Sequence, residues 1–202
     1  MNIFILASTI LLASFIGMAV KSSKRKHKEE EQRFWARERA ANSVRRKSLD
    51  SLNYIKIPLD KLPMDILSED SRVAEYQSII QTLATQPVVN LTGFSNTDLK
   101  LEYGTANITP LTEYDQNYTV LVRTLQQWAD VLCEAEYVYE ARILMEFAVS
   151  TGTDISRTYY KLADIYASRG EFSQIEDLII KAEALRTMNK KTIVRTLRES
   201  YQ

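Results

Sequence analysis

The chain has 202 residues, no net charge at neutral pH, one cysteine and one histidine. Those counts exclude an intrachain disulfide, a zinc site built from several Cys or His ligands, and a nucleophile system that needs a placed histidine. The charge is segregated: residues 21–48 hold 11 Lys or Arg against 4 Glu, whereas residues 49–202 hold 15 basic and 22 acidic residues, which argues against nucleic-acid binding by the folded part.

Residues 3–20, IFILASTILLASFIGMAV, carry no charge. A helix of that length reaches about 27 Å, enough for a hydrocarbon core of roughly 30 Å. Gly17 and Ala19 would also suit a cleaved signal peptide. However, only Met1 and Asn2 precede the run, whereas Lys21, Lys24, Arg25, Lys26 and Lys28 follow it. The positive-inside rule then predicts an uncleaved single-pass anchor over 1–20 in the cell membrane, with the amino terminus outside and the body in the cytoplasm. Thr9, Ala13 and Gly17 recur every four residues, a pattern that lets membrane helices approach closely.

Residues 21–48 are rich in Lys, Arg, Glu and Ala and predict a basic juxtamembrane helix. Lys21, Lys24, Arg25, Lys26 and Lys28 could meet anionic lipid head groups, at roughly 1 kcal/mol for each basic residue near the surface. Residues 49–67 read as an extended linker. There Ile55, Ile57 and Leu59 alternate with Lys56, Pro58 and Asp60, and the prolines oppose a helix.

A mainly helical domain is expected over 68–202. Its first helix, over 68–83, has Val73, Tyr76, Ile79, Ile80 and Leu83 at helical spacing, with capping chemistry in Ser68-Glu69-Asp70. Residues 86–117 carry Pro87, Gly93, Gly104 and Pro110 as breakers. Alternation of Leu99, Leu101 and Tyr103 with Lys100 and Glu102 predicts a short extended piece, and Asp115 is expected to cap the next helix. Asn90, Asn107 and Asn117 each begin an Asn-x-Thr tripeptide, read here as loop and cap residues rather than glycan acceptors.

Beyond that point the chain matches itself at a spacing of 34 residues. Sliding 122–155 onto 156–189 brings Leu125 onto Tyr159, Trp128 onto Leu162, Ala129 onto Ala163, Asp130 onto Asp164, Leu132 onto Tyr166 and Ala148 onto Ala182. Such a period marks stacked helical units that bury their apolar faces on one another. Trp128, Tyr159, Tyr166 and Phe172 are expected between the layers, and Gly170 in the turn of the second unit. A capping helix is expected over 190–202, with Ile193, Val194 and Leu197 on one face.

These anchors resemble the tetratricopeptide repeat, a helix–turn–helix unit of the same length. The second unit fits better. The first has Glu136 where the turn glycine belongs, and the second has Ile175 and Thr187 in place of the family's small residue and closing proline. The resemblance implies a groove lined by the first helix of each unit: Arg123, Gln126, Asp130 and Cys133, then Arg157, Tyr160, Asp164 and Ala167. The family's Lys- and Asn-based clamp for carboxy-terminal carboxylates is absent from these positions. The groove that remains would suit a basic or amphipathic protein segment.

These features predict a membrane-anchored adaptor or scaffold with no catalytic site, cofactor or metal. A structural or self-assembling subunit of a membrane complex is the alternative.

Overall fold

The computed structural model describes residues 3–201, apart from the side chains of residues 3–14, 17 and 19. The association stripe of Thr9, Ala13 and Gly17 therefore lies outside the described side chains, as does most of the expected anchor. Among the described residues no helix is long and apolar enough to cross a membrane. The described chain is mainly helical, with one isolated bridge between Tyr54 and Val89 as its β pairing. It divides into two compact units, residues 1–47 with 95–108 and residues 48–94 with 109–202.

The first unit is organised by helix α1, Ile3–Asn42, in which the charged segment from Lys21 continues the apolar one without a break. Its helical course ends at Asn42, several residues before the expected boundary at 48. Against its carboxyl-terminal turns lies α3, Asn96–Tyr103, where an extended piece is expected from the sequence (α2, Ser71–Leu83, belongs to the second unit). The reason is a capping box. Ser95 Oγ accepts from the Asp98 backbone N–H, and the Asp98 carboxylate accepts from the Ser95 N–H at 2.9 Å. Leu99 and Tyr103 then fall one turn apart, so the same residues that alternate also satisfy a helix, and Leu99 is buried.

Glu38 of α1 accepts from Thr97 Oγ1 at 2.6 Å and pairs with Lys100, while Arg37 pairs with Asp98. The hydrogen bonds from Ser95 and the Arg37 guanidinium hold the Asp98 carboxyl down at about 2, from an ordinary 3.8. A carboxyl lowered by folding stabilises the fold above its unfolded value. The first unit should therefore lose stability as pH falls from 3.8 through about 2. Urea unfolding of wild type and Asp98→Asn, compared at neutral pH and in this acid window, checks it: the variant should show the shallower pH dependence.

In the second unit, residues 53–58 of the expected 49–67 linker run extended, whereas 50–51, 59–61 and 64–67 form turns. Ile55, Ile57 and Leu59 lie half-buried against the core, and the Ile55 N–H donates to Val88 O at 2.9 Å. Helix α2, Ser71–Leu83, begins three residues later than expected. Asp70 caps it, accepting from the N–H groups of Arg72 and Val73. Helix α4, Ile108–Glu134, starts before Asp115, which instead accepts from the Leu91 N–H at 3.0 Å as it fixes a loop. Pro110 lies in the first turn of α4, where its missing N–H has no intrahelical partner to lose.

Then follow α5 (Val138–Ser150), α6 (Ser156–Ser168), α7 (Phe172–Glu183) and α8 (Lys190–Tyr201). Trp128, Leu125, Leu132, Tyr159, Leu162 and Ile179 share one core with α2. Phe172 does not. It is 57% exposed, since the first residue of α7 lies at the rim of the hairpin rather than between layers.

The turns α4–α5 and α6–α7 have the same geometry 34 residues apart. Glu136 adopts φ 66° and Gly170 φ 71°. In each turn the next N–H reaches back to a helix carbonyl, Tyr137 to Leu132 at 2.8 Å and Glu171 to Tyr166 at 2.9 Å. Glu136 holds this left-handed conformation with a side chain, at a steric cost of about 1 kcal/mol. Glu136→Gly should therefore raise stability by roughly 0.5–1 kcal/mol, read as a higher denaturant midpoint at unchanged slope.

Candidate interaction site

The residues expected to line a groove fall into three groups in the structure. Arg123 and Arg157 are exposed, the latter paired with Asp130. Tyr160, Cys133 and Ala167 are half-buried and pack against the core. Gln126 is buried, and the two aspartates are committed to partners within the chain.

Those commitments form a connected network. Thr158 Oγ1 donates to Gln126 Oε1 at 2.5 Å, and Gln126 Nε2 donates to Asp130 Oδ1 at 2.9 Å. Asp130 also receives Lys161 Nζ at 2.7 Å and Arg157 Nε at 3.3 Å. Three donors on one carboxylate leave little capacity for an outside ligand. Asp164 accepts from the hydroxyl of Tyr201, the last residue of α8. Burial, then the Asp164 carboxylate, pushes that hydroxyl up to about 12, so it remains a neutral donor throughout the physiological range. The structure therefore brings Gln126, Asp130 and Arg157 together and uses them to join α4 to α6. Asp164 serves to hold α8.

Sequence reasoning missed Thr158, Lys161 and Tyr201. Lys161 stands one helical turn after Arg157, a spacing that would have placed both cations on one face. No local signal connects Tyr201 to Asp164. Burial pushes the Cys133 thiol up, although Lys161 and Arg157 act in the opposite sense, so it lacks the depressed pKa of a reactive thiolate. Among the described residues no cluster of His, Cys, Asp or Glu is arranged to hold a metal ion.

A second network lies at the start of α5. Arg142 pairs with Glu146 at 2.6 Å and Glu171 at 2.8 Å, and its guanidinium lies 4.8 Å from the Tyr166 ring centroid. Tyr166 donates its hydroxyl to Glu146 at 2.9 Å. These contacts tie α5 to the α6–α7 turn.

The three tripeptide asparagines are internal fasteners. Asn90 Nδ2 donates to the carbonyls of Thr151 and Gly152, and Asn117 Nδ2 to Pro87 O at 2.9 Å. Asn117 does so from within α4 rather than from a loop. Asn107 is fully buried, with its amide donating to the carbonyls of Lys47 and Tyr103 at 2.7 Å each.

No protein-family model, no curated protein and no solved structure matches this chain.

Proposed function

We propose that the chain is a membrane-anchored protein-interaction adaptor or scaffold whose second unit is a short tetratricopeptide-like array facing the cytoplasm. The observation that carries the reading is the pair of helical hairpins whose turns share one geometry at the 34-residue period, followed by α8. Units of that kind stack in order to bury their faces and leave extended surfaces for partners. The anchor reading draws support from Phe15, Ile16, Met18 and Val20, all exposed at the end of the apolar segment, where a bilayer would cover them. The basic residues that follow, Lys21 to Lys28, are exposed and would lie at the head groups. The reading assigns no reaction to the chain, consistent with the raised Cys133 thiol.

Capture of the full-length protein from membranes, beside an Arg123→Glu, Arg157→Glu double variant, tests the proposal. Both side chains are exposed, although Arg157 also contributes to Asp130, so a thermal melt must accompany the capture. Recovery of a defined partner by the wild type supports the adaptor, and its loss from the folded variant assigns the helix face. Recovery of the protein alone would replace this reading with self-assembly.

A further inference from the structure

We infer that the open end of the array, the groove between α7 and α8, docks an acidic amphipathic helix of a protein partner; the inference rests on the interaction reading above and gives it a partner chemistry. The groove has a volume of about 530 Å³ and lies between Glu183 of α7 and the outward face of α8. Helix α8 buries Ile193 and Leu197, and beside that buried face Lys190, Lys191 and Val194 line this groove. Val194 is half-buried and supplies an apolar contact between cations.

The charges select the occupant. Arg198 is committed to Glu183 at 2.5 Å, and Arg195 approaches Glu199 only at 4.0 Å across exposed side chains. Among the described residues neither Lys190 nor Lys191 forms an ion pair, so the groove has a net positive rim with two uncommitted ammonium groups. Close in the chain to the lining residues, Ile180, one turn before Glu183, is 63% exposed, and Met188, two residues before Lys190, is 96% exposed. Val194 with the aliphatic stems of the surrounding cations, the exposed Ile180 one turn before Glu183, and two uncommitted ammonium groups are complementary to a helix with a leucine-type stripe flanked by carboxylates.

The test uses full-length protein in neutral detergent and a labelled 18-residue probe peptide with Leu at positions i, i+3, i+4 and i+7 and Glu elsewhere, followed by fluorescence anisotropy. The comparison peptide carries Lys in place of Glu. Saturable binding of the acidic peptide alone, weakened about tenfold or more by Lys190→Glu, Lys191→Glu, supports the inference. Equal binding of both peptides, or unchanged binding by the variant, overturns it. So does a finding that the same substitutions abolish self-association or binding to phosphatidylglycerol vesicles while leaving peptide binding intact. Lys191 is exposed and Lys190 half-buried, so a melting curve that matches wild type is required for the variant to be read. A failed peptide assay with partner capture retained by this variant would sink only the groove. A wild type that captures no partner would sink the interaction reading itself.

Discussion

Trp128→Ala is expected to destabilise the second unit by about 3–5 kcal/mol, enough to unfold a large share of molecules in a marginally stable domain. The indole is wholly buried in the core that also holds Leu125, Leu132 and Tyr159, and removing it leaves a cavity that close-packed side chains cannot fill. Trp128→Phe is expected to behave quite differently. The Trp128 Nε1–H is buried and has no hydrogen-bond partner, a state that costs roughly 1–3 kcal/mol. Phenylalanine removes that donor while keeping most of the apolar volume. The two effects oppose each other, and the variant should remain within about 1 kcal/mol of wild type. Denaturant unfolding at equilibrium measures both. Equal losses for Ala and Phe would mean that the indole N–H has a partner, such as a buried water.

The second large effect is expected at Asn107. This one side chain makes three hydrogen bonds: it donates to the Lys47 and Tyr103 carbonyls and accepts from Arg46 Nε at 3.1 Å. It thereby ties the segment after α1 to the end of α3. Asn107→Ala leaves the Lys47 carbonyl without its side-chain donor and the Tyr103 carbonyl with the Lys47 N–H alone, and the loss should reach about 1–3 kcal/mol for the first unit. Asn107→Asp should be no better, because it turns a carboxylate oxygen toward those carbonyl oxygens. Limited trypsin digestion reads the result directly, since Arg45, Arg46 and Lys47 offer three successive cleavage sites. In the wild type the Lys47 N–H donates to Tyr103 O at 3.0 Å and holds this segment in place. In the variants it should be cut well before the second unit. Slow cleavage at 45–47 in a folded Asn107→Ala protein would show that other contacts suffice. Gly104 contributes to the same arrangement: at φ 87° an added Cβ would lie 2.3 Å from the Arg45 carbonyl oxygen, so no side chain fits there.

Neither of these positions stands out in the sequence as a stability centre. Trp128 belongs to the 34-residue pattern and is predicted buried, but its unpaired N–H depends on which atoms surround it. Asn107 looks like part of a short glycosylation-type tripeptide in a segment crowded with breakers. Its role arises because the chain returns from residue 107 to residue 47, and no local pattern encodes that return.

What the sequence determines by itself is therefore periodic or covalent. The helices of the carboxyl-terminal half, their burial pattern and the shared turn at Glu136 and Gly170 follow from apolar spacing over many residues, where each position reinforces the next. The extended course of 53–58 follows from Pro58, which restricts its own backbone and that of Ile57 before it. Helix α3 escapes a local reading because two or three alternating residues fit a strand and a helix equally well, and capping by Ser95 decides between them. Helix α4 starts before Asp115 because that carboxylate is taken by the distant Leu91 N–H. Only the tertiary structure assigns the polar chemistry. Asp130, Asp164 and Gln126 have the residue types and spacing of ligand-binding positions, yet each is spent on Arg157 and Lys161, Tyr201 and Thr158. A side chain's availability depends on what distant segments bring within about 3 Å of it, and hydrogen bonding at that range carries no sequence period.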